Sequence, residues 1–224
     1  MNVKRGKSVS VHPEPGAEPA RRRYHSSLRA EAADATRARI IEAARAVLAG
    51  GADMPAFSLD GVARQAGVTR LTVYNRFESK LGLLEAVFDD IAERGGLFTD
   101  LPAVFAEPDA EVALRRLVGV FCRFWARHKT MMPAFHAVMK IDEEIAASLR
   151  QRAERRRHAL DVLVTRLVPE VGKAKADLVD VLFALTSFET FEALSVRNRS
   201  AKAVETLVRT LAEQAVRGLR DQSG

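Results

Sequence analysis

Arg70, Leu71, Thr72, Tyr74, Asn75 and Arg76 fall together in the stretch SLDGVARQAGVTRLTVYNRFESK, which runs from Ser58 to Lys80. Guanidinium, hydroxyl and amide groups beside one aliphatic side chain suit the recognition of phosphates and base edges better than bond-making chemistry. The neighbouring residues explain how such a set could be presented. Leu59, Val62, Ala63 and Ala66 recur at helical spacing and give a first short helix one apolar stripe. Ser58 can cap that helix, and Gly67 follows it where a departing chain often needs positive φ. Thr69 caps a second helix, in which Val73 and Phe77 lie four apart and face inward. Arg70 with Tyr74, and Leu71 with Asn75, share the same spacing and form a separate outward ridge. Two short helices joined by one turn make a helix-turn-helix, whose second helix enters the major groove of DNA by its N-terminal end.

Other chemistries find little support. The histidines at 12, 25, 128, 136 and 158 include no pair at the three- or four-residue spacing that aligns two metal ligands on a helix. Glu154 and His158 are four apart, but no second copy of that motif completes a di-iron set. No Gly-rich phosphate loop and no marked nucleophile are present, and Cys122 lies on an apolar helical face. No catalytic residue, metal ligand or cofactor is therefore expected, and a helical-bundle enzyme is the weakest of the function classes.

Composition bounds the reading. A chain of 224 residues can hold one or two domains, and its net charge of +6 favours a polyanionic partner. A single cysteine suits a reducing cytoplasm, and no apolar run approaches the roughly 18 residues of a membrane span. No secretory signal precedes the domain, so the expected location is the cytoplasm, at the nucleoid, with no membrane partner. Residues 1–33 are interrupted by Pro13, Pro15, Gly16 and Pro19 and carry Lys4, Arg5, Lys7 and Arg21-Arg22-Arg23. They are expected to be a disordered basic arm, either a solubilising tail or a segment that contacts DNA beside the helix-turn-helix.

The remainder reads as helix after helix, without alternating strand patterns. A helix from Ile40 runs to Gly50-Gly51, and another from about Ser79 to Arg94 stops at Gly95-Gly96. Further helices are expected from about Asp109 to Arg127, from Pro133, and from a cap at Asp142 to about Val168. Pro169 and Gly172 break the chain before helices over 174–197 and 200–219. The first of these is apolar nearly all round, with Leu178, Val179, Val181, Leu182, Leu185, Phe188, Phe191 and Leu194, and so must be buried on two sides. Ala203, Val204, Leu207, Leu211, Ala215 and Leu219 give the last helix one stripe.

With IIEAA upstream and SLDGVARQAGVTRLTVYNRFESKLGLL following, residues 36–88 resemble the TetR family of bacterial transcription regulators. The resemblance implies an all-α fold: a three-helix DNA-binding domain over 34–82 and a larger effector-binding and dimerisation domain over 83–224. Thr69, Thr72 and Tyr74 then match positions near the sugar-phosphate backbone, and Lys80 a lysine that pairs with phosphate. Arg70, Leu71 and Asn75 match positions that read bases, where asparagine can bond adenine and an aliphatic side chain can lie on a thymine methyl. Arg76 could touch phosphate or base. Two residues depart from the family pattern. Leu71 stands where a small residue or proline is usual, and Asp60 where a basic residue is frequent. Asp60 is either a first-turn residue favoured by the helix dipole, an acceptor from cytosine, or the partner of a neighbour such as Arg64.

The resemblance also implies a homodimer through the last two helices, a pseudo-palindromic double-stranded operator and a small-molecule effector. Phe121, Phe124, Trp125, Met131, Met132, Phe135, Met139, Phe183, Phe188 and Phe191 could line an apolar effector pocket between the middle helices and the penultimate one. Glu189 and Glu192 interrupt that apolar helix, where one could orient a cationic or hydroxylated ligand or form a rim ion pair. His136 is read as an ordinary helix histidine. The expected activity is that of a dimeric repressor released by its effector; an effector-independent, architectural DNA-binding protein is the alternative.

Overall fold

The computed structural model describes residues 17–50, 57–168 and 173–223, and every regular element among them is a helix. Residues 1–39 and 40–224 are separate units. Helix α1 (Ala17–Ala49) begins in the first and ends in the second. The arm expected to be disordered is thus helical from Ala17 onward. Alanine and arginine, both strong helix formers, recur from Ala20 to Arg39, and Pro19 falls in the first turn, where its missing N–H goes unused. Residues 1–16, with Lys4, Arg5 and Lys7, lie outside the described residues, as do the side chains of Arg21, Arg22 and Arg23 and the break at Pro169 and Gly172.

In the second unit, Ile40, Ile41, Ala44 and Leu48 of α1 are buried in a cluster with residues of α2 (Leu59–Ala66), α3 (Arg70–Phe77) and α4 (Lys80–Arg94). The same cluster continues through Phe124, Met131, Met132, Phe135, Val138, Ile145 and Phe188. No change of core therefore marks the boundary expected after residue 82, and α4 belongs to both sides of it.

Helix α5 (Leu97–Ala106) lies between two of the expected helices and carries Pro102 in its middle. A proline there forfeits one backbone hydrogen bond; Val104 is buried, and Leu97 and Leu101 pack half-buried against the cores. Helix α6 (Ala110–His128) is capped by Asp109, whose side chain accepts from the N–H groups of Glu111 and Val112. Those bonds, Val112 first, hold its carboxyl below the usual aspartate range. Helices α7 (Met132–Ile141) and α8 (Glu143–Leu167) follow, with Asp142 capping α8 as expected.

The single helix expected over 174–197 is two, α9 (Lys173–Leu185) and α10 (Phe188–Leu194). Ser187 starts the second: its hydroxyl oxygen accepts from the Thr190 N–H at 3.1 Å. In a continuous helix that N–H would engage the Thr186 carbonyl. Released from it, the Thr186 carbonyl accepts instead from Trp125 Nε1 at 2.9 Å and from Arg156 Nη1 at 2.6 Å. The break is thus held by side chains from two other helices, a long-range cause that periodicity does not report.

Helix α11 (Ala201–Ser223) buries Val204, Val208, Ala212 and Val216 against α6 and α9. The stripe read from the sequence is therefore divided: Val204 faces the core, whereas Ala203 and Leu211 are exposed. Cys122 is buried in the same cluster, and burial with the nearby Glu205 carboxylate pushes its thiol up to about 11, so it stays protonated at neutral pH.

His128, at the end of α6, is buried with no hydrogen-bond partner for Nε2. Burial first, then the charges of Arg45 and Arg127, hold its pKa below 6.5. The unfolded chain therefore binds a proton at this site more readily than the folded one. The stability it contributes is complete above about pH 6.5 and is lost as pH falls below that value. Thermal melts between pH 7.5 and pH 5.5 are expected to show a smaller drop in His128→Leu than in the native chain. An equal drop would mean that other groups carry the acid sensitivity.

Candidate nucleic-acid interface and ligand cavity

The helix-turn-helix is built from local hydrogen bonds. The Ser58 hydroxyl oxygen accepts from the Gly61 N–H at 3.1 Å, starting α2. Gly67 closes it at φ 63, a left-handed backbone conformation that any side chain would oppose. Thr69 then caps α3 by accepting from the Thr72 N–H at 3.1 Å, and the hydroxyls of Thr69 and Thr72 bond each other at 2.8 Å. Val73 and Phe77 are buried, as their spacing requires. On the opposite side of this eight-residue helix, Leu71 and Tyr74 are 65% and 54% exposed. Arg70, Asn75 and Arg76 are exposed beside them. Two large apolar side chains left open among cations and an amide form a surface with contact chemistry that no described residue covers.

Asp60 pairs with Arg70 across the turn at 3.4 Å, rather than with Arg64. Both side chains are more than half exposed, so the pair contributes little to stability. Its consequence is positional, since it holds one of the base-reading candidates near the N-terminal end of α2. Lys80 opens α4 beneath its cap, Ser79, whose hydroxyl oxygen accepts from the Gly82 N–H at 2.9 Å. Its ammonium lies 3.9 Å from the Asp142 carboxylate at the start of α8.

A cavity of about 520 Å³ opens behind α4, walled by α4, α5, α6, α7, α8 and α10. Of the residues expected there, Phe121, Phe124, Trp125, Met132, Phe135, Met139, Phe188 and Glu189 do line it. Met131, Phe183, Phe191 and Glu192 do not. Met131 and Phe191 are packed in the two cores, and Glu192 is exposed. Phe183 lies between the guanidiniums of Arg156 and Arg157, each 4.2 Å from its ring centre. The sequence reading missed Phe98 and Leu101 because it missed α5. It also missed Phe88, Asp89, Arg152, Arg155 and Arg156 of α4 and α8, which line the cavity. The run RQRAERRR belongs to a long charged helix, and only packing shows which of its arginines line the cavity. His136 lines the cavity too, with Nε2 3.5 Å from the Glu189 carboxylate.

The sequence profile described as "Bacterial regulatory proteins, tetR family" matches residues 40–87. Those residues hold the end of α1, the capped helix-turn-helix and most of α4. Residues 40–87 thus carry a tetR-family DNA-binding domain. Its fold is shared with the crystal structure of a TetR-like transcriptional regulator from Rhodococcus sp. RHA1, at a TM-score of 0.62 and 17% identity. The match spans 82% of this chain and 96% of that one. No curated protein matches it in sequence.

The matched segment supports a DNA-binding transcription regulator, and α3 is the second helix of its helix-turn-helix. Among the described residues, no helix is long and apolar enough to cross a membrane. Farther along the chain, α9 and α11 pack together and leave Val181 and Leu211 44% and 37% exposed. Ala184 of α9 and Ala203 of α11 are uncovered as well.

Proposed function

We propose that this regulator is a homodimeric repressor that leaves a pseudo-palindromic operator when a small, largely apolar effector enters the cavity. The observation that carries the reading is a mechanical one: α4 has Lys80 at its N-terminal end and Phe88, Asp89 and Ala92 in the cavity wall. A ligand that displaces the wall displaces the helix that sets the position of the DNA-reading unit. The helix is also tied to α8 along its length. Ser148 donates to the Glu85 carboxylate at 2.6 Å, Arg152 donates to Asp89 at 2.5 Å, and Lys80 faces Asp142. Such a rail transmits a shift of either helix to the other.

Dimerisation through α9 and α11 is supported by the uncovered Val181, Ala184, Ala203 and Leu211, which a second copy would bury. A closed two-fold dimer places two copies of α3 in successive major grooves about 34–36 Å apart. Thr69, Tyr74 and Lys80 then grip phosphates, while Arg70, Leu71 and Asn75 read base edges. The effector acts by binding more tightly to the state whose spacing no longer fits, and its effect is limited by that difference in affinity. The functional division is residues 34–82 for DNA and 83–224 for effector and partner.

Selection of duplexes from a random pool by the purified chain is expected to return two related half-sites about 10 base pairs apart, bound by two or more protomers. Recovery of sequences without a half-site repeat, or one protomer per duplex, would overturn the dimeric reading. Loss of binding in the presence of a cavity ligand would argue against the effector-independent alternative.

A further inference from the structure

Arg156 is a cavity cation for which, among the described residues, no carboxylate lies at ion-pair distance. On either side of it, Arg152 holds the Asp89 carboxylate and Arg157 holds that of Asp180. Arg156 is half-buried, yet among the described residues it donates to an uncharged acceptor, the Thr186 carbonyl. A guanidinium carries five N–H donors, so one backbone bond leaves most of the fork unused. Removing a cation from water without a counter-charge is unfavourable, and an incoming anion would recover that loss.

The group is also pre-positioned. Its Nη1 is fixed at 2.6 Å from Thr186, and its plane lies over Phe183 at 4.2 Å and Phe121 at 5.7 Å. A side chain already ordered by a hydrogen bond and two rings gives up little rotamer freedom when it binds. Burial lowers the Arg156 pKa to about 10, with Glu189 opposing the shift, so the side chain remains charged at neutral pH.

The carboxylates in the wall offset this charge only in part: Glu189 favours the charged form, but its side chain is 70% exposed. Asp89 is engaged by Arg152 at 2.5 Å, and Glu189 faces His136 at 3.5 Å. Arg155 adds a further cation to the lining. The rest of the wall is apolar, with Phe98, Leu101, Phe124, Met132 and Phe135 among its residues.

Resting on the effector reading above, we propose that the cavity selects an amphipathic anion: an apolar body ending in one carboxylate, which pairs with the free N–H groups of Arg156. Glu189 and Asp89 serve to orient the wall and do not select a cationic ligand.

Trp125 is the sole tryptophan of the chain and lines this cavity, so its emission reports occupancy directly. The full chain is titrated with decanoate, decanol and decylamine at pH 7.5, below their aggregation limits, with operator binding followed in parallel. Decanoate is expected to bind at least about tenfold more tightly than either analogue, as a charge-assisted pair requires. Arg156→Met should reduce decanoate to the level of decanol without changing decanol affinity, and Arg156→Lys should retain part of the preference. Melting curves of both variants identify any loss of fold. Equal or tighter binding of decanol or decylamine, unchanged decanoate binding in Arg156→Met, or no response of Trp125 to any of the three overturns the proposal. The two readings separate cleanly. Decanoate that binds through Arg156 yet leaves the operator bound upholds the anion and removes effector release. Decanol or decylamine that binds best and frees the operator does the reverse.

Discussion

Substitution of Lys80 by alanine is expected to weaken binding to every duplex by about tenfold, roughly 1.4 kcal/mol, and to lower the salt slope by about one. Lys80 is the first residue of α4, so its ammonium adds a full charge to the positive end of a helix whose cap is already satisfied by Ser79. A phosphate there gains both contributions. In the free protein the same ammonium faces Asp142 at 3.9 Å, a separation too long for a strong bond. DNA must displace that carboxylate, so Asp142 opposes binding. Asp142→Asn keeps a side chain able to cap α8 and accept from the Ile145 N–H, but removes the competing charge. That variant should bind about threefold more tightly at low salt, the range of an exposed ion pair. Fluorescence anisotropy over a salt series measures both. Unchanged affinity and slope in Lys80→Ala would show that DNA does not reach the start of α4.

Phe124→Ala is expected to destabilise the protein by about 4 kcal/mol, a large share of the roughly 5–15 kcal/mol available to a domain. The ring is 1% exposed and packs edge-on against Trp125 at 4.7 Å and beside His128 at 5.0 Å. It also lies directly on the glycine that ends α4: a Cβ built at Gly95 would come within 2.5 Å of Phe124 Cδ2. Truncation therefore opens a void at the junction of α4 and α6, and the surrounding helices cannot collapse into it without moving α4. Phe98→Ala offers the contrast, since that ring lines the same cavity but is 61% exposed and should cost under about 1 kcal/mol. Urea unfolding gives both values. A loss below about 1 kcal/mol for Phe124→Ala would mean that the α4–α6 junction repacks freely.

The DNA-reading unit was legible because its causes are local. Ser58, Gly67, Thr69, Val73 and Phe77 act within a few residues of themselves, through caps, a left-handed turn and a four-residue spacing. The same locality made Asp109, Asp142 and the stop at Gly95 readable in advance. Where two elements compete, residue order alone was misleading. Asp60 had Arg64 one turn away on its own helix, but it pairs with Arg70, which the turn at Gly67 brings alongside.

The cavity was legible only in part. Aromatic and methionine side chains announced apolar space, yet Met131, Phe183 and Phe191 share the composition of Phe121, Phe124 and Phe135 while serving other surfaces. The break at Thr186 shows why. It depends on Trp125, 61 residues away, and Arg156, 30 residues away, both converging on one carbonyl.

The sequence by itself determined an all-helical chain with a DNA-reading helix whose outward residues are named, because capping and periodicity act over one or two turns. The tertiary structure decided which aromatic residues enclose the cavity and which arginines of a charged run line it. Burial and ion pairing are set by residues from separate helices, and only their packing brings them together.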